Sequence, residues 1–116
     1  MAVRLKRAYD PPEREDGYRV LTDRLWPRGV KKEQARLDEW ARELGPSSEL
    51  RRWFGHDPAK FGEFRRRYRN ELAAQEEKLA ELRRRARRGT VTLVYSARDT
   101  EHNDAVVLAE LLRERS

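Results

Sequence analysis

The sequence feature that most restricts the fold is a β-favouring run near the C-terminus, at residues 90–96. Val91, Leu93, Val94 and Tyr95 follow one another there with only a threonine between them. A half-exposed strand alternates apolar and polar residues, whereas a strand covered on both faces by helices is apolar almost throughout. We therefore predict that residues 90–96 form the central strand of an α/β protein.

Two more strands are expected nearer the N-terminus. Residues 3–7 alternate apolar and polar side chains, as a strand with one buried face does, and the prolines at 11–12 end the pattern. Residues 18–22 are rich in β-favouring types and follow an Asp-Gly turn at 16–17. The three segments together predict a small, mostly parallel sheet of about three strands.

Helical periodicity covers most of the remaining chain. Residues 31–44 place their apolar side chains on one helical face, and the Gly-Pro that follows cannot continue a helix. A serine cap and a terminal glycine predict a short helix over residues 47–54.

The longest helix is predicted to begin at Asp57-Pro58, because an aspartate cap followed by proline is a strong start signal. Its apolar residues step by three or four for about eight turns before Gly89 ends it, and a last helix covers residues 103–113. We expect a single α/β domain over residues 1–116, with a sheet flanked by helices, one of them long.

Charge and cysteine content restrict the chemistry. The chain has 27 Lys+Arg against 21 Asp+Glu, a net charge of +6, which favours anionic partners such as nucleotides, nucleic acid or phosphate metabolites. Because the chain has no cysteine, disulfides, thiolate catalysis and cysteine-ligated metals are excluded. The first residues lack an apolar targeting core, and no run approaches the roughly 20 apolar residues of a membrane span, so we expect a cytoplasmic protein without membrane contact.

Several ordered motifs resemble one protein family. They include Lys6-Arg7, Tyr9-Asp10-Pro11, Asp23-Arg24-Leu25-Trp26-Pro27-Arg28-Gly29, Leu50-Arg51, Trp53-Phe54, His56-Asp57, Thr92-Leu93-Val94-Tyr95-Ser96-Ala97 and His102-Asn103. Across nearly the whole chain they resemble the YeaO-like family, domain of unknown function four-eight-eight. The resemblance implies a compact bacterial or archaeal α/β protein and carries no established reaction. More distant relatives have cysteines near the last β-loop-α turn, where this chain has Ser96, so no thiol chemistry transfers.

Polar residues follow each predicted strand and define a candidate site. In an open α/β sheet, ligands bind at the carboxyl ends of parallel strands. The candidate ligand-binding residues are Arg24, Arg28, Ser96, Arg98 and Asn103. Guanidinium forks suit phosphate or carboxylate oxygens, and the start of the last helix offers unpaired amides. These residues predict a pocket for a small phosphorylated or carboxylated ligand.

Three alternatives to this pocket stay open. The arginines could form an internal salt-bridge network with Asp23 and Asp99, which adjoin Arg24 and Arg98. The arginine-rich long helix could bind nucleic acid, although its Glu-to-Arg spacings of three or four favour solvated ion pairs on the helix surface. A purely structural or partner-binding module would need neither site.

Acid-base candidates are few. Asp23, His56 and His102 are the residues that could serve a reaction, and neither histidine has a partner at a characteristic spacing. No metal-ligand spacing stands out, so we predict no metal and no cofactor. Asp99 or Thr100 is expected to cap the last helix. Whether the chain is an enzyme is left open.

Overall fold

The computed structural model describes residues 2–114 and contains one four-stranded sheet. The strands are β1 (Ala2–Arg7), β2 (Tyr18–Leu21), β3 (Glu39–Trp40) and β4 (Thr90–Tyr95). Their order in the sheet is β1-β4-β2-β3, and every neighbouring pair is parallel. The predicted α/β class and the interior position of the last strand are confirmed, while the strand count is four rather than about three.

The register brings three strand ends to one edge of the sheet. Arg7 of β1 lies opposite Tyr95 of β4, and Leu21 of β2 lies opposite Val94. The loops that follow β1, β2 and β4 therefore leave the sheet side by side. This is the condition on which the predicted site depends.

Within residues 2–114, five α-helices accompany the sheet. They are α1 (Lys32–Ala35), α2 (Ser48–Phe54), α3 (Phe61–Leu72), α4 (Glu76–Arg88) and α5 (Asp104–Glu114). The side chain of Ser47 accepts the amide of Leu50 at the start of α2, and Gly55 ends that helix with a positive φ of 54°. Both features agree with the predicted short helix, because a serine cap and a left-handed glycine complete the two helix ends.

The prediction of one helix over residues 31–44 is wrong. Only Lys32–Ala35 is α-helical, with a separate 3₁₀ turn at Arg42–Leu44, and Arg36 leaves the first helix with a φ of 46°. The next residues pair with β2: the Asp38 amide donates to the Arg19 carbonyl at 2.9 Å, and Trp40 lies opposite Leu21. The apolar spacing of these residues fits a helix. The backbone instead forms hydrogen bonds with the free edge of β2, and a local sequence pattern does not indicate such long-range pairing.

The predicted long helical segment is confirmed over residues 61–88, with one interruption. Asp57 caps its start by accepting the Ala59 amide, and Pro58 occupies the first helical position. A short turn at Ala73–Gln75 divides α3 from α4. α3 packs against α2 and α5, whereas α4 packs against β1 and β4. Gln75, a polar residue in the helical stretch that the sequence predicts, lies at this division.

Two apolar clusters lie on opposite faces of the sheet. Val91, Leu93 and Tyr95 join the helices in the larger cluster, while Val94 joins Leu21 in the smaller one. The residues that complete the smaller cluster come from the segment between β2 and β3 and from β3 itself: Trp26, Val30, Leu37 and Trp40. β4 is therefore buried on both faces as predicted, but one of its covers is mostly loop rather than helix.

Most arginines of α3 are held in ion pairs. Glu63 accepts hydrogen bonds from Arg66 and Arg67 at 2.5 and 2.8 Å, which agrees with the predicted spacing of three and four residues. Further pairs join α3 to α5, such as Arg65 with Glu110 at 2.9 Å. None of the helices between residues 2 and 114 combines the length and apolarity that crossing a membrane requires.

Candidate functional site

A cavity of about 550 Å³ lies at the carboxyl edge of the sheet, where the strand-end loops meet. Its walls come from the loops after β1, β2 and β4, from α2 and the connections on either side of it, from α3 and from the start of α5. The cavity is lined by Tyr9, Asp23, Arg24, Leu25, Trp26, Pro27, Arg28, Pro46, Arg51, Phe54, His56, Phe64, Ser96, Ala97, Asn103 and Asp104.

The predicted site residues divide into those that line the cavity and those that do not. Arg24, Arg28, Ser96 and Asn103 line it, and so do two acid-base candidates, Asp23 and His56. Arg98 is exposed in the loop after β4 and lies outside the lining. His102 also lies outside, where its Nδ1 pairs with an Asp99 oxygen at 2.9 Å.

Arg24 fastens the loop that precedes α2. Its Nε donates to the carbonyl oxygens of Gly45 and Pro46, at 3.1 and 2.7 Å. The approach requires a glycine, because a Cβ on Gly45 would lie 2.8 Å from Arg24 Cγ and 2.9 Å from the Thr22 oxygen. Arg24 Nε therefore stabilises the loop before α2, and only the two terminal nitrogens of the guanidinium remain for a ligand.

Arg28 is presented by a loop that its neighbours hold in place. The Tyr9 hydroxyl donates to the Arg28 carbonyl at 2.9 Å, and Trp26 Nε1 donates to the Val30 carbonyl at 2.7 Å. Gly29 adopts a φ of 78°, a region that suits glycine. The Arg28 side chain is exposed, and it forms no ion pair within residues 2–114.

Arg51 lines the cavity from α2, and the sequence analysis did not select it. Leu50 and Phe54 turn inward from the same helix, and Arg51 stands half-buried beside them. Its guanidinium has no ion-pair or hydrogen-bond partner in the described part of the chain. The only available signal was its place in the Leu50-Arg51 motif, which gave no indication of which way it points.

Asp23 and Ser96 join the loops after β2 and β4. Ser96 donates to one oxygen of Asp23, Oδ2, from its backbone amide at 2.9 Å and from its hydroxyl at 2.8 Å. Neither of the adjacent pairs considered above, Asp23 with Arg24 or Asp99 with Arg98, forms an ion pair in residues 2–114. The internal salt-bridge network is therefore absent from this part of the molecule.

Asp104 lies at the start of α5 and was missed by sequence reasoning. Its side chain is only 9% exposed, and its Oδ2 receives no hydrogen bond from a donor in the described chain. Burial, and then the charge and hydrogen bonding of Asp23, raise the pKa of the Asp104 carboxyl well above its ordinary value. Asp104 and Asp23 thus form a carboxyl pair beside the cavity, in which Asp104 keeps its proton to higher pH than an ordinary aspartate.

Asn103 caps α5, so the predicted cap at Asp99 or Thr100 is wrong. Its Oδ1 accepts the Val106 amide at 3.0 Å, and its Nδ2 donates to the Asp99 carbonyl at 2.8 Å. Asp99 instead closes a turn by accepting the amides of Glu101 and His102, both at 2.9 Å. Both polar groups of Asn103 are therefore engaged within the chain, although the residue borders the cavity.

Metal-binding groups are not clustered in the part of the chain that the structure describes. No three of its His, Asp or Glu side chains come close enough together to form a ligand set for a metal ion. The two histidines lie apart from each other: His56 packs near Phe54, and His102 packs against the edge of Phe61.

Comparison with known proteins gives consistent matches over the full length. Residues 2–116 match a protein family described as "Inactive DUF488-N3 subclade". The chain is 48% identical to the uncharacterised protein YeaO of Escherichia coli (strain K12), over 97% of this chain and 98% of that protein. It is 43% identical to uncharacterised proteins of Mycobacterium bovis and Mycobacterium tuberculosis, over 97% of this chain and 95% of theirs. No solved structure matches the chain.

Proposed function

Because this chain belongs to the YeaO-like DUF488 family, in its subclade described as inactive, we propose that it binds a small anionic ligand without converting it. The ligand carries a phosphate or carboxylate group and occupies the cavity at the carboxyl ends of the strands. The description of the subclade as inactive favours binding over turnover.

Two guanidinium groups without an ion-pair partner in residues 2–114 line the same cavity, and this observation carries the proposal. Arg28 approaches from the loop after β2 and Arg51 from α2, and neither side chain has an ion-pair partner within residues 2–114. Arginines that only stabilise a fold are generally paired with carboxylates or carbonyl groups, as Arg19 and Arg24 are here. Unpaired arginines beside a cavity suit planar, two-point binding of phosphate or carboxylate.

The charge distribution of the cavity gives the same indication. Arg24, Arg28 and Arg51 supply three positive charges, against at most two negative ones from Asp23 and Asp104. Since Asp104 holds its proton well above the usual pH range of an aspartate, the balance shifts further toward positive charge. A volume of about 550 Å³ lies within the range of small-molecule sites.

A thermal-shift experiment on the purified full chain tests the proposal. Inorganic phosphate, pyrophosphate and citrate are compared with sodium chloride at matched ionic strength. We expect the multivalent anions to raise the melting temperature of the wild type and of Arg52→Ala, and to lose at least half of that effect in Arg51→Ala. Arg52 is the matched control, because it occupies the same last turn of α2 but is exposed and outside the cavity lining.

Two results would contradict this proposal. Equal stabilisation by chloride at the same ionic strength would indicate general screening rather than a site. Equal losses in Arg51→Ala and Arg52→Ala would indicate a change in the charge at the end of α2, since both arginines stabilise the helix dipole.

The nucleic-acid alternative remains a prediction without a specific observation in its favour. Arg84, Arg87 and Arg88 are exposed on α4 and have no ion pair among the described residues. They lie in or beside the last turn of the helix, where positive charge stabilises the carbonyl end. Binding through such a surface would fall steeply as salt rises, whereas a ligand held in the cavity would resist salt.

A further inference from the structure

Tyr9 and Leu25 are the large apolar side chains that residues 2–114 leave exposed to solvent, at 46% and 62% of their surfaces. They belong to different connections, since Tyr9 follows β1 and Leu25 follows β2. Both nevertheless line the cavity at the carboxyl edge of the sheet. Single apolar residues scattered over a surface are ordinary, but exposed apolar residues gathered at one cavity indicate a contact surface.

The Tyr9 ring is held in place by two contacts. Its hydroxyl donates to the Arg28 carbonyl at 2.9 Å, and the guanidinium carbon of Arg7 lies 5.0 Å from the ring centroid. Arg7 Nε in turn donates to the carbonyl oxygen of Ala97, another lining residue, at 2.9 Å. An exposed ring that is already fixed in this way loses little conformational entropy when a ligand packs against it.

The apolar pair lies next to one of the arginines of the anion site. The Tyr9 hydroxyl contacts the backbone of Arg28, and Leu25 precedes Arg28 by three residues in the same loop. Arg28 itself is exposed and lines the cavity. A ligand whose acidic group binds this arginine therefore has apolar surface within reach of its other atoms.

The size of this surface favours a small molecule over a protein. A stable protein interface buries about 800 Å² on each partner and is usually centred on several large side chains. Two exposed apolar side chains fall short of that area, whereas a cavity of about 550 Å³ with a partly apolar lining matches a small-molecule site. The arginines of the cavity restrict such a molecule to an anion.

We propose that the ligand is an amphipathic anion, whose acidic group binds the arginines while an apolar group packs against Tyr9 and Leu25. The inference rests on the proposed anion site and names its ligand class, an aryl or alkyl phosphate or carboxylate. The acidic group pairs with Arg28 and Arg51. The apolar group removes Tyr9 and Leu25 from water, which contributes affinity that a purely polar anion lacks.

Calorimetric titrations of the full chain compare compounds with the same acidic group and different bodies. Phenyl phosphate and glycerol phosphate are similar in size, and at a pH of about 8 both are dianions, but only the first has an apolar body. We expect phenyl phosphate to bind at least about tenfold more tightly, the gain from burying roughly two methylene groups. Inorganic phosphate measures the acidic group alone and phenol the ring alone, and both are expected to bind more weakly than phenyl phosphate.

Variants at Leu25 and Tyr9 connect this preference to the apolar pair. Leu25→Ser should weaken phenyl phosphate binding at least about threefold and leave inorganic phosphate binding unchanged. Because Leu25 is mostly exposed, this substitution should not disturb folding. Tyr9→Ala should have a similar effect on phenyl phosphate. Tyr9→Phe is the matched control, since it also loses the hydroxyl bond to Arg28 but keeps the ring, and it should keep the preference.

The outcomes separate this inference from the anion site on which it rests. Equal affinity for the two esters in the wild type overturns the apolar preference and leaves the anion site intact. A preference that survives both Leu25→Ser and Tyr9→Ala, or that Tyr9→Phe abolishes, overturns the role of these side chains. A wild-type dimer that Leu25→Ser converts to a monomer in sedimentation also overturns the inference, because a second copy would then cover the pair. An absence of binding by every phosphate compound overturns both proposals.

Discussion

Ser96 holds one oxygen of the Asp23 carboxylate with two hydrogen bonds, from its amide at 2.9 Å and its hydroxyl at 2.8 Å. The contact joins residues 73 positions apart in the chain, at the ends of two adjacent parallel strands. It therefore sets the spacing between the loop that carries Arg28 and the loop that leads to α5. It also keeps Asp23 oriented toward the carboxyl of Asp104.

The first prediction concerns the stability of this junction. Ser96→Ala removes the hydroxyl donor and keeps the amide bond, so the free energy of unfolding should fall by about 1.5 kcal/mol, the range for a hydrogen bond to a charged group. Urea denaturation measures the change. Thr100→Ala serves as the control, because Thr100 is exposed in the same connection and its side chain has no partner among the described residues. A loss of similar size in both variants would show that the hydroxyl bond is not responsible.

The second prediction concerns the dependence of stability on pH. Burial and the neighbouring Asp23 raise the pKa of Asp104 in the folded protein, so the unfolded chain releases this proton at lower pH than the folded one. The stability that this proton contributes is fully present below the ordinary aspartate pKa of 3.8 and is lost as pH rises toward the raised pKa of the folded protein. Burial, and to a lesser extent the charge of Asp104, raise the pKa of the Tyr68 and Tyr95 hydroxyls.

Asp104→Asn tests this dependence, since an amide cannot release the proton. We expect the variant to match the wild type most closely at acidic pH and to become the more stable protein as pH rises toward neutral. Melting temperatures across that pH range measure the difference. Parallel curves for the two proteins would indicate that Asp104 has an ordinary pKa in the folded state.

Elements defined by local pattern were predictable, and those defined by pairing were not. β4 could be recognised because its apolar run is a property of consecutive residues, and α2 because Ser47 and Gly55 mark its ends. β3 consists of Glu39 and Trp40 and exists only because the edge of β2 is open to it. The sequence did not predict β3, because the apolar spacing around it also fits a helix.

The candidate site shows the same division. The strand-end rule found Arg24, Arg28 and Ser96, because parallel register alone brings those loops together. Arg51 and Asp104 were missed because their importance lies in burial and in contacts with distant segments. Asn103 was identified as a neighbour of the site, but its capping role follows from the backbone geometry of α5, which the sequence left ambiguous between several polar residues.

The third prediction uses two glycines with opposite surroundings. A Cβ on Gly45 would meet Arg24 and the Thr22 oxygen at less than 3 Å, so Gly45→Ala should cost about 1–3 kcal/mol and displace the Arg24 side chain. Gly62 lies within α3 with nothing inside 4 Å of its added Cβ. Gly62→Ala should therefore raise the free energy of unfolding by about 0.5–1 kcal/mol. Equal effects of the two substitutions would contradict the close approach described at Gly45.

The fourth prediction concerns the buried acid at the opposite end of β2. Asp16 is fully buried and accepts a hydrogen bond from Arg19 at 2.6 Å, and the Arg19 side chain is itself only 4% exposed. Lys6 lies 3.2 Å from the same carboxylate. Burial alone would raise the pKa of Asp16, but the Glu13 amide and the bonds from Lys6 and Arg19 lower it, so the group stays ionised.

Removing this carboxylate leaves Arg19 buried without its charged partner. Asp16→Ala should therefore lower the free energy of unfolding by about 3–5 kcal/mol, the range for breaking one side of a buried ion pair. Because the pKa of Asp16 is lowered in the folded protein, the stability it contributes is present above the ordinary aspartate pKa of 3.8 and is lost as pH falls through the folded pKa. The difference between wild type and Asp16→Ala should accordingly shrink in strong acid. Glu15→Ala is the control, since Glu15 is exposed next to Asp16, and a comparable loss there would contradict the role assigned to the buried pair.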